Sequence, residues 1–272
     1  MRAFLAAVGG LLLSSAWLAL GQNTPENEFN RRRTLSFGII IFPGWEPLDV
    51  FGPLEILFSL SATYKITLSI IAKETGPVSA GYPPHIMVPG QPPADYSYML
   101  QPKLVATHTF RDAPALDVLL VPGGVGTMAL EQANDTSIET FLRNRFESLD
   151  YLLSVCTGSA LLATSGLLDG RRATTNKALW GLVTNHGENV TWVPSARWTH
   201  DGKIWTSSGV ASGIDMMYAF LKHLYGETDP VLIAAMNGIE YAPHTDPDWD
   251  PFSIVHNVRT CNSLLGRGQQ PS

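Results

Sequence analysis

Cysteine and charge are both scarce in this chain of 272 residues, and each shortage narrows what it can be. Two cysteines, Cys156 and Cys261, are too few for a disulfide framework. Charged residues make up 15% of the chain against 45% hydrophobic, which excludes a disordered polyelectrolyte and provides for a large buried core. Basic residues are outnumbered 18 to 24, for a net charge of −6. A nucleic-acid partner calls for a basic face, so none is expected. No G-x-G-x-x-G fingerprint follows the first expected strand, which removes the usual dinucleotide site. His244, Asp246, Asp248 and Asp250 cluster in a stretch broken by prolines and lacking the glycine on which a calcium loop turns. Neither a metal nor any other cofactor is expected.

What the chain does have begins with a leader. Arg2 and the uncharged apolar run Ala3 to Leu20, closed by Ala19-Leu20-Gly21, read as a signal peptide over residues 1–21. Its loss would bring the net charge to −7. Arg31-Arg32-Arg33 would lie on the outer side of a retained anchor, against the positive-inside tendency, so secretion without a stable membrane anchor is the expectation. Asn134-Asp135-Thr136 and Asn189-Val190-Thr191 are sequons that fit a secretory route. Polar residues 22–33 read as a flexible leader, residues 34–265 as a single domain and residues 266–272 as a disordered tail.

Within the domain, apolar runs alternate with helical patterns. Strands are expected at Leu35–Phe42, Ile66–Ala72, Leu116–Val121 and Leu149–Val155, each short enough and apolar enough to be buried. Pro53 falls in the first turn of a following helix. Thr136-Ser137-Ile138-Glu139 has capping-box spacing, and Ile214, Met217, Tyr218 and Leu221 form a helical stripe. Such alternation implies an α/β fold, a mostly parallel sheet covered by helices on both faces, with its ligand site beyond the carboxyl ends of the strands. Residues 76–103 interrupt the pattern with seven prolines and fit either a hairpin excursion or a lid.

The most informative stretch runs from Leu152 to Leu162. An apolar strand leads into Cys156, and a helix of small residues starts directly after it, the arrangement of a nucleophile elbow with sulfur as the nucleophile. The helix start favours a thiolate. Residue spacing alone leaves three readings of Cys156 open: a reactive thiol, an inert buried one, or a bridge to Cys261.

Several segments together resemble the ThiJ/PfpI superfamily, whose sheet is like that of class I glutamine amidotransferases. They are Ile41 to Pro53, Leu120 to Gly124, Ser154 to Gly158, Gly166 to Thr175 and Gly209 to Asp215, in the family's order and within about residues 34–240. The resemblance is nearest to the isonitrile hydratase branch. It implies a cysteine-dependent lyase acting on a small molecule, with Cys156 as nucleophile, Asp49 as general acid and base and Thr157 touching the site. Gly123, Gly124 and Gly158 would bring backbone N–H groups to a bound intermediate. Taken alone, Asp49 reads first as a helix cap or a solvated loop acid, and Glu46 competes with it. Relatives imply a homodimer. Asn176 stands where hydratases tend to carry histidine, and the His of Cys-His members is replaced by Thr157. Two other functions stay open: cofactor-free attack on reactive carbonyls, as in glyoxalase-type branches, and a non-catalytic binding or redox-sensing module. A regulator with a helix-turn-helix pair is not expected, since little chain follows residue 240 and the charge has the wrong sign.

Overall fold

The computed structural model describes residues 24–84, 86–87 and 94–258. The signal peptide, the tail and Cys261 lie outside the described residues. Helix α1 (Pro25–Arg32) leads into strand β1 (Leu35–Ile40), helix α2 (Pro47–Ser61) and strand β2 (Ile66–Ala72). Strands β3 (Gly76–Ser79), β4 (Lys103–Ala106), β5 (His108–Thr109) and β6 (Val118–Val121) follow. Then come helices α3 (Gly126–Gln132) and α4 (Ser137–Arg145), strand β7 (Tyr151–Ser154) and helix α5 (Gly158–Thr164). The remainder is β8 (Arg172–Ala173), α6 (Trp180–Val183), β9 (Thr191–Trp192), β10 (Trp198–Asp201), β11 (Ile204–Ser207), α7 (Ser212–Tyr225), α8 (Pro230–Gly238) and α9 (Phe252–Val255).

Seven strands form the central sheet in the order β10-β11-β7-β6-β1-β2-β5. All neighbours run parallel except β10, which returns antiparallel beside β11. The four central strands β11, β7, β6 and β1 are almost wholly buried, as strands covered on both faces are, and β7 and β11 bury Ser154, Thr206 and Ser207 along with their apolar residues. Helices α1, α2, α7 and α8 pack with one another on one face, and α3, α4 and α5 on the other. Among the described residues no helix is long and apolar enough to cross a membrane.

Four expectations need correction. Pro53 lies inside α2, whose first turn begins at Pro47, and not in that first turn. Residues 25–32, read as part of a flexible leader, form α1. Thr24 and Asn27 build a reciprocal cap, with Pro25 in the first turn. Buried Asn27 and Asn30 donate to the His223 and Leu224 carbonyls at the end of α7. Their polarity caps another helix; it does not signal disorder. At α4 the capping box is absent: Thr136 makes no side-chain cap, and Asp135 Oδ1 accepts from the Ser137 N–H at 3.0 Å. The buried face of α7 centres on Met216, Met217, Phe220, Leu221 and Leu224, leaving Ile214 and Tyr218 half-exposed.

The proline-rich region is a hairpin excursion at its base, where β3 pairs antiparallel with β4. It braces the loop after β1: Gly44 donates to the Ser79 carbonyl at 2.9 Å and Trp45 Nε1 to the Val78 carbonyl at 3.2 Å.

Candidate active site

Parallel strands deliver their following loops to one edge of the sheet. The loops after β1, β6, β7 and β11 meet there, tied by Glu46 N–H to Gly123 O (2.9 Å), Gly126 N–H to Gly44 O (2.9 Å) and Cys156 N–H to Ser208 O (3.1 Å). Cys156 sits at the tip of the β7 loop with φ +57°, in the left-handed region that a side chain rarely adopts. Strain of this kind costs on the order of 1–3 kcal/mol and persists where the surroundings enforce it. The enforcement is visible. Thr175 and Ser159 hydroxyls both donate to the Cys156 carbonyl, at 2.9 and 3.1 Å. A Cβ on Gly158 would come within 2.3 Å of the Val121 carbonyl oxygen, so only glycine lets the elbow pass beneath β6.

The sulfur is nearly closed off, with Cys156 4% exposed, and it is a free cysteine. Burial pushes its thiol up, and the charge of Asp49 adds to the rise. Backbone N–H groups of Thr157 and Val210 and the Asn176 amide pull the other way. The ionised resting thiol expected from the helix start is therefore disfavoured, because desolvation outweighs the donors. Asn176 Nδ2 lies 3.2 Å from Sγ. Val210 holds its own N–H there with φ +36°, a second strained residue and a β-branched one.

Asp49 lies in the first turn of α2, fully buried. Burial holds its carboxyl well above the usual range, against the Gly123 N–H, which donates to Oδ2 at 2.8 Å. Among the described residues its Oδ1 has no hydrogen-bond partner. A buried, unpaired carboxyl oxygen is the state of an acid that keeps its proton and has it available to donate. Helix capping does not describe this residue. Glu46 is half-buried, with a pKa raised by burial, and its charge is one of the influences that raise Asp49.

Gly123 is the hinge of the arrangement. Its missing side chain would meet the Thr157 N at 2.5 Å, Thr157 Oγ1 at 2.6 Å and Cys156 Cβ at 2.9 Å. Asp49, Gly123, Cys156 and Thr157 are thus in direct succession. The glycine N–H groups expected to face an intermediate are engaged otherwise: Gly123 holds Asp49, Gly124 donates to Thr157 Oγ1 at 2.9 Å, and Gly158 donates to the Val155 carbonyl. They position the acid and the threonine. Thr157 Oγ1 also lies 3.3 Å from the Thr127 hydroxyl.

Residues 37–223 match the DJ-1/PfpI family. The chain belongs to it. Among curated members of the DJ-1/PfpI family, an isonitrile hydratase from Pseudomonas putida is 32% identical over 231 residues, 83% of this chain and 89% of that protein. An HTH-type transcriptional regulator, GbdR from Pseudomonas aeruginosa, is 31% identical over 125 residues, 46% of this chain and 33% of the regulator. A crystal structure of a ThiJ/PfpI family protein from Pseudomonas syringae superposes with a TM-score of 0.61 at 26% identity, covering 79% of this chain and 78% of that one. DJ-1/PfpI proteins therefore include one named for an enzyme activity and others named as regulators.

Sequence reasoning overlooked two donors to the sulfur. Asn176 was visible as a departure from a familiar pattern, and Gly209 marks its place, since a Cβ there would lie 2.7 Å from Asn176 Nδ2. Nothing in the sequence flags Val210. His200 lies on β10, in the antiparallel hairpin β10–β11. His244 belongs to a structural segment, its N–H donating to buried Asp215, which also pairs with Arg197 at 2.6 Å. Among the described residues no three His, Cys, Asp or Glu side chains converge as metal ligands.

Proposed function

We propose that the protein is a cysteine-dependent hydratase that converts a small isonitrile to the N-substituted formamide. The observation that carries the reading is the succession Asp49–Gly123–Cys156–Thr157, a buried acid and a buried thiol separated by one glycine. The likeness to a protein named isonitrile hydratase supports the substrate class.

Each step follows from the protonation states. Asp49 gives its proton to the terminal carbon of R–N≡C, making that carbon electrophilic as Cys156 Sγ forms the S–C bond. The thiol proton passes to the Asp49 carboxylate. The product is a thioimidate, R–N=CH–S–Cys156. Water then adds to the same carbon, losing a proton to a base while the imine nitrogen gains one, to give R–NH–CH(OH)–S–Cys156. Collapse forms the C=O bond, breaks C–S and returns the proton to sulfur, releasing R–NH–CHO. One water is consumed and no electrons are exchanged. A neutral thiol and a neutral acid at rest suit an uncharged substrate, since neither charge must be desolvated before binding. Thr157 orients the water from its fixed place between Gly124 and Thr127.

Isonitrile loss assayed with wild type, Cys156→Ala and Asp49→Asn tests the reading. Turnover in wild type and its loss in both variants is expected; equal rates in all three would end it. Lactate formed from methylglyoxal, with no isonitrile consumed, would transfer the same residues to carbonyl chemistry.

Export after removal of residues 1–21, with glycans on Asn134 and Asn189, belongs to the same proposal. Both asparagines are exposed, which supports it. The mass of the secreted chain before and after glycosidase treatment tests it.

A further inference from the structure

A pocket of about 230 Å3 lies against the Cys156 elbow. Three of the residues that line it hold that cysteine directly. Asn176 donates to Sγ at 3.2 Å, the Val210 N–H donates to the same sulfur, and the Ser208 carbonyl accepts from the Cys156 N–H at 3.1 Å. Phe252 and His256 complete the wall. They are four residues apart on α9 and its C-terminal cap, so they share a face, and the His256 N–H donates to the Phe252 carbonyl at 2.9 Å. Buried Asp250 anchors this turn by accepting from the Phe252 N–H at 3.0 Å. Both residues lie beyond residue 223, where the family match ends. A water in the liquid takes up about 30 Å3, so the pocket has room for a small substrate and a water together.

Hydration needs a base, and Asp49 is not available for it. Asp49 ends the first half of the reaction with its proton restored and stays fully buried. Among the described residues, two titratable side chains line the pocket, Lys177 and His256. Lys177 turns its Nζ toward Thr174 Oγ1 at 2.6 Å and the Ala196 and Thr175 carbonyls at 2.8 and 3.3 Å, in residues that do not line the pocket. His256 is exposed, and its imidazole has no hydrogen bond, ion pair or ring partner among the described residues.

We propose that His256 is the general base of the hydration step, an inference that rests on the hydratase reading above. Its unprotonated ring nitrogen takes a proton from a water in the pocket as the water oxygen bonds to the carbon of R–N=CH–S–Cys156, and it returns that proton to the imine nitrogen. One O–H bond breaks, C–O and N–H bonds form, the C=N bond becomes single, and no proton is left over.

Turnover of n-butyl isonitrile by the full chain, with intact-protein mass, tests the assignment. His256→Ala is expected to lower kcat on the order of a hundredfold, the scale of lost general-base catalysis. Because S–C bond formation does not need His256, the variant should accumulate one isonitrile per chain on Cys156, an adduct absent from Cys156→Ala. Imidazole added to the buffer should restore part of the turnover and discharge the adduct. Alkylation of Cys156 by iodoacetamide should be as fast in His256→Ala as in wild type, which shows that the sulfur site is intact. Wild type that consumes no isonitrile overturns the hydratase reading and this inference with it. Wild type and His256→Ala turning over at equal rates overturn this inference alone. A drop with neither adduct nor rescue would make His256 part of the wall only, and would overturn it too.

Discussion

Asn176 donates to Cys156, Nδ2 to Sγ at 3.2 Å, and the Leu179 N–H bonded to Oδ1 at 3.0 Å fixes which end of the amide faces the sulfur. A histidine at this place could present either a donor or an acceptor, according to its tautomer. The amide held by Leu179 is a donor only. The position that departs from the hydratase pattern thus stabilises negative charge on sulfur at every pH.

Replacing Asn176 with Leu removes that donor and keeps the volume. The thiol pKa then rises further, by about one unit or more, since a hydrogen bond to a charged group contributes about 1.5–3 kcal/mol. The rate of alkylation by iodoacetamide near pH 8 follows the small thiolate fraction; it should fall by about threefold or more in Asn176→Leu, and an unchanged rate would show that the amide does not act on the sulfur.

Asp49→Asn is expected to abolish turnover and to stabilise the fold. The folded carboxyl has a pKa above its unfolded value of about 3.9, so the folded state keeps a proton that the unfolded state releases. Stability is therefore full below about pH 3.9 and declines as pH rises toward the folded pKa. An amide has no such decline. The two proteins should unfold at similar temperatures at pH 4, and the variant should lead by several degrees at pH 7.5, about 1 kcal/mol or more. Turnover should fall by on the order of a hundredfold or more.

How much of this was legible follows from where each signal lies. Central strands such as Val118–Val121 show in the sequence because burial on both faces demands a continuous apolar run. Cys156 shows because a strand, a small-residue turn and a helix are local in sequence. The state of its thiol does not, because it is set by burial together with Asp49, Asn176 and Val210, which arrive from three other segments of the chain. Helix α1 is hidden in the sequence for the same reason: Asn27 and Asn30 look like surface residues until the end of α7 is placed against them.

Asp229 ties α1 to the opposite end of the chain. Fully buried, it caps α8 through the Val231 and Leu232 N–H groups and accepts from Tyr64 Oη at 2.6 Å and Arg31 Nε at 3.0 Å. Asp229→Ala removes a cap worth about 1 kcal/mol and leaves buried donors without their acceptor. A loss of about 3–5 kcal/mol is expected from denaturant unfolding. A loss below about 1 kcal/mol would mean that α1 is not held by this carboxylate.

Lys177, next to Asn176 in the chain, supplies a pH dependence of opposite sign. It is 3% exposed, with Nζ 2.6 Å from Thr174 Oγ1 and 2.8 Å from the Ala196 carbonyl, and it lies 4.9 Å over the Trp180 ring. Burial lowers its pKa to about 7, with Asp250 opposing and Arg197 adding to the fall. Unfolded lysine titrates near 10.4, so between about pH 7 and 10.4 the unfolded chain binds the extra proton. Stability from this group therefore rises with pH across that window and is lost as pH falls through 7. Lys177→Met removes the titration along with the hydrogen bonds, so its absolute stability will drop and the slope is the quantity to compare. Denaturant midpoints at pH 6.5, 7.5 and 8.5 should climb more steeply in wild type than in the variant. Parallel lines would mean that Lys177 keeps an ordinary pKa, and that its three acceptors, the two above and the Thr175 carbonyl at 3.3 Å, offset burial in full.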